Sequence, residues 1–346
     1  MRLWVSFLAL SLFFSGGTTF AESAHAANSN IRIAVLYDAG GRGDGGVNDA
    51  TAKGLDLAKK KYGLSILQVR EMAPLNTEQD RNARLEFLAK AGYNLVIAVG
   101  PAFTQAITTA SIHYPETQFA IVGDSSVPQV NVMAVDFSHD QGAFLAGVLA
   151  AASTTTGKVG IISEKNYYWD SDVAAFTQGA KFVNSKVQVL SQPIVITDKG
   201  EAKFDASLLT NSGVDILFST WSKNGDLFNQ IVSINSAAAK KKSKIVVKIV
   251  GTTPEQYFLA APAVKKLLIG QVVKKYDVAI LDLISLTLQD QTLNDILDEQ
   301  AGIYGRRYTL KNGGLTFQQF LANPKASSLL NAAKAAFTSG KLPTSH

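Results

Sequence analysis

Apolar residues fall along this chain in short, dense blocks, and between the blocks they recur at helical spacing. Residues 31–38 form the first block, rich in branched side chains and closing on the polar Asp38, as a buried strand does. Gly40-Gly41-Arg42-Gly43-Asp44-Gly45-Gly46 follows, a stretch that turns at little steric cost. Helical periodicity resumes at about Asn48, with Leu55 and Leu57 among its apolar positions. The pattern predicts the next strand at 65–70, then Thr77 as an N-cap with Asp80 three residues on, opening a helix that ends near Gly92. The rhythm repeats: a strand at 95–100, a helix at 102–113, strands at 119–122 and 132–136, and a helix from about His139 to Ala152. Gly142 and Gly147 permit that helix to pack closely.

A second set begins with a strand at 158–162 and continues through helix 171–184, strand 187–191, helix 203–212, strand 214–218, helix 224–236 and strand 245–250. Strands alternating with helices indicate layered α/β units with mostly parallel sheets. There are two such sets, joined near residues 137–157. The tail is less regular: a strand at 266–271, a helix at 276–288, a hairpin pairing 306–310 with 315–317 across Lys311-Asn312-Gly313-Gly314, and an alanine-rich helix at 326–338.

The first 26 residues stand apart. Arg2 precedes an apolar run from Leu3 to Phe14, the length of an export-signal core and short for a membrane span. Cleavage is expected after Ala21 or after Ala26, leaving a soluble product. The chain of 346 residues, 47% hydrophobic and 18% charged, is long enough for a core in each of two domains. Cysteine is absent, which excludes a disulfide framework, a cysteine nucleophile, a thiolate metal site and a lipidated cysteine. His25, His113, His139 and His346 share no metal-binding spacing, which argues against a zinc hydrolase. The formal charge of +5 is dispersed, which argues against a nucleic-acid partner, and the run Lys240-Lys241-Lys242-Ser243-Lys244 reads as a solvated helix end and loop.

Ligands of open α/β sheets gather beyond the carboxyl ends of the strands. In the first set those positions are Asp38 to Asn48, Gly100 to Phe103 and Gly123 to Ser126. The glycine-rich stretch lacks the acidic ribose partner of a dinucleotide site, and no Walker A motif is present. Asn48 and Asp49 enter a helix, as caps or as polar ligand contacts. Phe103, just after Gly100-Pro101, is either core filling or a ligand-facing ring. In the second set Tyr167-Tyr168-Trp169 cannot all face one core, so at least one ring is exposed or lines a cleft. Thr220-Trp221-Ser222-Lys223-Asn224 holds the corresponding position after strand 214–218. Aromatic faces with hydrogen-bonding side chains suit a planar, polar ligand, and a cleft between the domains would join these loops. No GxSxG elbow emerges, and His139, between Asp136 and Asp140 that would raise its pKa, reads more plainly as part of a helix cap. The chain is therefore not expected to be an enzyme.

Tyr37-Asp38-Ala39-Gly40-Gly41-Arg42-Gly43-Asp44 with Asn48-Asp49 resembles the basic membrane protein (PnrA-like) family, the nucleoside-binding receptors of certain ABC importers. Residues 100–104, 114–121, 142–147, 157–160 and 275–279 extend the resemblance in order along 31–320. It implies an α/β type I periplasmic-binding-protein fold, with two three-layer lobes, a central cleft and multiple crossovers. The N-terminal lobe would take 30–137 plus about 252–300, and the C-terminal lobe 138–251 plus about 301–340. The family's ligand contacts map onto Asn48, Asp49, Phe103, Asp124 and Lys274 or Lys275. Val47 stands where the family has a stacking phenylalanine, and its ribose-binding aspartate is missing or displaced to Glu255. Trp169 or Trp221 is expected to replace the ring, with Asp38, Tyr168 and Asn224 completing the candidate site.

The expectation is a receptor that closes its lobes on a small polar ring-containing ligand, a purine nucleoside first, and delivers it to ABC permease subunits. It would be a monomer without cofactor, free in the periplasm because no cysteine is present to carry a lipid. The alternative is an extracytoplasmic ligand-sensing or interaction module with a non-nucleoside ligand.

Overall fold

The computed structural model describes residues 30–165, 168–196, 202–221, 225–252, 257, 260–293 and 295–342. The expected signal at 1–26, Tyr167, and the candidate residues Asn224 and Glu255 lie outside them. The chain runs β1 (Ile33–Leu36), α1 (Val47–Tyr62), β2 (Val69–Met72), α2 (Glu78–Lys90), β3 (Leu95–Val99), α3 (Thr104–His113), β4 (Gln118–Val122) and β5 (Val132–Phe137). It continues through α4 (His139–Ser153), β6 (Lys158–Glu164), α5 (Trp169–Val183), β7 (Gln188–Ile196), β8 (Ala202–Lys203), α6 (Ala206–Thr210) and β9 (Ile216–Ser219). Then come α7 (Gly225–Lys240), β10 (Lys248–Gly251), α8 (Pro262–Lys265), β11 (Leu268–Lys274), α9 (Tyr276–Leu288), β12 (Asp295–Asp298), β13 (Ile303–Tyr308), β14 (Leu315–Gln319) and α10 (Pro324–Thr338).

These strands form two seven-stranded sheets, ordered β12-β13-β5-β4-β3-β1-β2 and β14-β11-β10-β9-β6-β7-β8. Only the β12–β13, β11–β14 and β7–β8 pairs among the described residues are antiparallel. The central strands, β1, β3, β4, β5 and β9 among them, are near-continuous apolar runs because both faces of their sheets are covered there. In β1, Ile33 and Val35 join one core with α1 and α9, while Ala34 and Leu36 join another with α2 and α3. The second sheet divides likewise between a core with α4, α5 and α10 and one with α6 and α7. The result is two three-layer α/β lobes.

The chain crosses between the lobes three times: after β5, after β11 and after β13. This corrects the expected boundaries near 252 and 300, because Leu268–Lys274 belongs to the second sheet and Ile303–Tyr308 to the first. The first return is set by α9, whose Ala279, Ile280, Leu283 and Ile284 pack on the first sheet beside α1. There a Cβ on Gly54 would stand 2.8 Å from the Asp277 carbonyl oxygen. The expected hairpin of 306–310 with 315–317 is also overturned. β13 pairs with β5, and β14 with β11, so the Lys311–Gly314 turn links two sheets. Asn312 braces it by accepting from the amides of Thr309 and Gly314 at 2.7 and 3.2 Å.

Candidate functional site

Strands β1, β3, β4 and β5 end at one edge of the first sheet, and the loops beyond them are held largely by their own acids. Asp44 accepts from the amides of Gly46, Asn48 and Asp49 at 2.8, 3.3 and 3.2 Å, capping α1 from outside its first turn. Asp49 reaches back to the amides of Gly43 and Gly45 at 2.6 and 2.9 Å. The buried Asn48 closes on the Asp38 backbone, accepting from its amide at 3.0 Å and donating to its carbonyl at 3.3 Å. The Asp38 carboxyl accepts from the Ala39 amide and lies beside Gly100, whose φ of 101° favours glycine. These three candidates thus shape the glycine-rich loop, and none of them lines the large cavity. Phe103 corrects the ligand-facing alternative. It is fully buried in the core with Leu36, Leu85 and Ile107, so its ring faces protein on every side.

A cavity of about 560 Å³ lies where the carboxyl ends of the first sheet meet the entry to α5. Asp124, Ser125, Asp136 and Arg307 line it from the first lobe, and Tyr168, Asp170 and Ser171 from the second. Ser138, His139 and Asp140 at the first crossing, and Leu297, Asp298 and Ile303 of β12 and β13, form the rest of its wall with Ser126 and Phe137. Asp124 is positioned by the Ser126 amide at 2.7 Å and by the Thr104 hydroxyl. Asp136 is buried and receives Arg307 Nε at 2.8 Å, the two being direct neighbours across β5 and β13. Tyr168 crosses the cleft, its hydroxyl 3.2 Å from Ser125 Oγ and 3.5 Å from Asp136 Oδ1. Burial, with the Asp136 carboxylate, pushes its phenol up to about 12. The ring stacks on His139 with centroids 4.3 Å apart and planes 5° from parallel.

Behind this stack lies a small space between α4 and the ends of β9, β10 and β11, where Ser138, His139, Asp172, Thr220, Thr252 and Lys274 meet the apolar Phe218 and Val272. Lys274 Nζ is 3.2 Å from His139 Nε2. Burial lowers the His139 pKa well below its usual value, and Lys274 and Arg307 push the same way, so the neutral ring accepts from the lysine. The sequence expectation that Asp136 and Asp140 would raise it is thereby corrected, since Arg307 pairs with Asp136. Burial lowers the pKa of Lys274 too, against the opposing pull of Asp172. It raises the Asp172 carboxyl to about 6, although Lys274 and the Ser163 hydroxyl at 3.0 Å favour its charged form.

Of the sequence candidates, Asp124 and Tyr168 meet at the cavity and Lys274 stands in the second row behind His139. Trp169 begins α5 half-buried, and Trp221 is half-buried against the core of the second sheet. Lys275 stands near Asp277, their charged atoms 3.8 Å apart. Asp136, His139, Asp172 and Arg307, which line the cavity or the space behind it, were not among the sequence candidates. Asp136 closes an apolar block just as Asp38 does, so the strand-end rule that found Asp124 reaches it. Nothing local marks Arg307, which meets its partner across 171 residues of chain.

A model of the PnrA-like ABC transporter substrate-binding protein family, Bmp, matches residues 31–305. The chain is 27% identical over 271 residues to the CD4+ T-cell-stimulating antigen of Listeria innocua, covering 72% of this chain and 73% of the relative. It is 24% identical over 326 residues to the ABC transporter nucleoside-binding protein BmpA of Lactococcus lactis, covering 91% and 89%. Among solved structures, an ABC transporter solute-binding protein from Aeropyrum pernix superposes with a TM-score of 0.67 at 20% identity, covering 91% of this chain and 94% of the other. That similarity carries the fold of a type I periplasmic binding protein.

Proposed function

Because the chain belongs to the PnrA-like family of ABC transporter substrate-binding proteins, we propose that it carries a small polar, ring-containing solute to the permease subunits of an importer, a purine nucleoside first among candidates. The observation that carries this reading is the cavity of about 560 Å³ between the lobes, with the Tyr168 ring on its wall. Tyr168 offers the ring face that Val47 does not, and the carboxyls of Asp124 and Asp136 are acceptors suited to ribose hydroxyls. The relative named as nucleoside-binding in Lactococcus lactis supports the same ligand class. The work of the protein is binding and release, with no covalent step. A ligand touching both lobes favours the closed form in proportion to its extra affinity for it, and the permease would read that population. We assign it to the periplasm as a monomer, on the apolar run at Leu3 to Phe14 and the family's extracytoplasmic role. No helix among the described residues is long and apolar enough to cross a membrane.

Titration of the mature protein with adenosine, guanosine and inosine, by calorimetry and thermal shift, tests the ligand. Failure of all three at about millimolar concentration to raise the melting temperature overturns the nucleoside reading. Tyr168→Ala is expected to weaken the binding nucleoside about ten- to hundredfold, the range of a lost base–aromatic stack. Tyr168→Phe, which keeps the ring, is expected to retain most of the affinity. Equal losses in the two variants would assign the effect to the hydroxyl contacts with Ser125 and Asp136.

A further inference from the structure

We propose that the cavity selects a solute bearing a positive charge, such as a ring with a quaternised nitrogen or a protonated amine. This rests on the substrate-binding reading and narrows its ligand class. Five aspartates line the cavity, Asp124, Asp136, Asp140, Asp170 and Asp298, against one arginine, Arg307. Arg307 is engaged with Asp136. Asp140 and Asp170 lie in the first turns of α4 and α5, where the helix dipoles offset part of their charge. Asp124 and Asp298 lie in neither first turn, and the hydrogen bonds that position them come from neutral groups: the Thr104 hydroxyl and the Ser126 and Ala301 amides. His139, the other basic side chain of the lining, is held neutral, and Lys274 stands behind it, facing Asp172.

A protein of net charge +5 therefore turns a negative wall toward its cleft. Low-dielectric walls focus such a field, so it acts on a bound ligand more strongly than surface charges act through water. A second observation points to a polar ligand group independently of charge. Ser138 lines the same cavity, is 2% exposed, and its hydroxyl has no hydrogen-bond partner among the described residues, though it holds the N-cap position of α4. A buried hydroxyl left in that state is costly, and it gains a partner only where the cavity wall shifts as the lobes close on a solute. The Tyr168 ring adds an aromatic face, which attracts cations as well as stacking on planar rings.

Matched ligands that differ in one charge test this: adenosine against 1-methyladenosine and guanosine against 7-methylguanosine, with thiamine as a cationic heterocycle lacking ribose. Both methylated nucleosides carry a net positive charge on the base in mildly acidic buffer, where 7-methylguanosine keeps its N1 proton, and the titrations are run there. Calorimetric titration of the full mature protein is expected to show a cationic member binding at least about tenfold more tightly than its neutral counterpart at low salt. The advantage should shrink as ionic strength rises from about 0.01 M to about 0.5 M. Asp124→Asn combined with Asp298→Asn should remove most of it, with unchanged melting behaviour as the folding control. Thiamine binding in the absence of any nucleoside binding would uphold the charge inference and overturn the nucleoside reading. Nucleosides binding without regard to charge or salt would uphold the nucleoside reading and overturn this inference. Binding by none of the five would overturn both.

Discussion

Gly147→Ala is expected to destabilise the second lobe by about 3 kcal/mol or more, and Gly179→Ala by a similar amount. Helices α4 and α5 meet backbone to backbone at these glycines. A Cβ on Gly147 would stand 2.1 Å from the Phe176 carbonyl oxygen and 2.9 Å from the Ala180 nitrogen. A Cβ on Gly179 would stand 2.0 Å from the Phe144 carbonyl oxygen. Overpacking in a core usually costs about 1–3 kcal/mol because neighbouring side chains shift to make room. Here the obstacle is helix backbone, so the helices themselves must separate, at the loss of packing among Phe144, Phe176, Ala180 and their neighbours. Gly225→Ala supplies the control. No described residue lies within 4 Å of its added Cβ, and its stability should change by no more than about 0.5 kcal/mol. Denaturant titration followed by circular dichroism measures all three. The same separation bears on function, because α4 carries His139 and α5 follows directly on Tyr168. A Gly147→Ala protein that folds should therefore bind its solute more weakly even though residue 147 is remote from the cavity lining. Near-native stability in both alanine variants would show that the helices slide past each other at little cost.

Gly147 illustrates what a sequence reading reaches. A glycine inside a strongly apolar helix has few explanations, and close approach is the chief one. The strands were equally legible where both faces are buried: Leu95–Val99 and Val132–Phe137 are uninterrupted apolar blocks. The expected strand at 65–70 lies instead at Val69–Met72, because Ile66 and Leu67 are 91% and 81% exposed and their apolar character misled the pattern. β12 was missed because Asp295-Ile296-Leu297-Asp298 has no apolar block and sits at a sheet edge. The tail failed for a different reason. A tight turn after Tyr308 fits a hairpin and a lobe crossing equally well, and only the partners decide between them. The site divides along the same line. Asp124 and Tyr168, which line the cavity, were legible as candidates because strand ends and an unburiable aromatic run are local signals. Phe103 was misassigned as a candidate because a ring after a strand-end glycine fits the cleft mouth as readily as the core behind it. Asp136 and Arg307 meet only once two crossings have returned the chain to the first sheet, and His139 and Tyr168 stack only once α4 and α5 have packed side by side.

Asp172→Asn is expected to stabilise the ligand-free protein by up to about 3 kcal/mol at about pH 8, with the gain vanishing in acid. The carboxyl is buried on α5 and raised from an ordinary value of 3.8 to about 6. At about 1.4 kcal/mol per pH unit, that interval amounts to about 3 kcal/mol. The sign follows from proton counting. Between pH 3.8 and about 6 the unfolded chain has released this proton while the native protein still holds it, so stability falls as pH rises through that window. Below 3.8 both states are protonated and the penalty is absent; above about 6 it is complete. Asparagine keeps the shape and an acceptor for the Ser163 hydroxyl, now at 3.0 Å, while removing the charge whose burial dominates. Lys274 opposes the gain, because the loss of a nearby negative charge leaves its buried ammonium less compensated and lowers its pKa further. Unfolding titrations of both proteins at about pH 4, 6 and 8 separate the two effects. Convergence at the lowest pH with divergence at the highest shows that burying the carboxylate costs more than its pairing with Lys274 returns. A variant less stable than the parent at about pH 8 would instead show that attraction between Asp172 and Lys274 exceeds the cost of burying them, making that pair a stabilising anchor for His139 and the Tyr168 ring stacked on it.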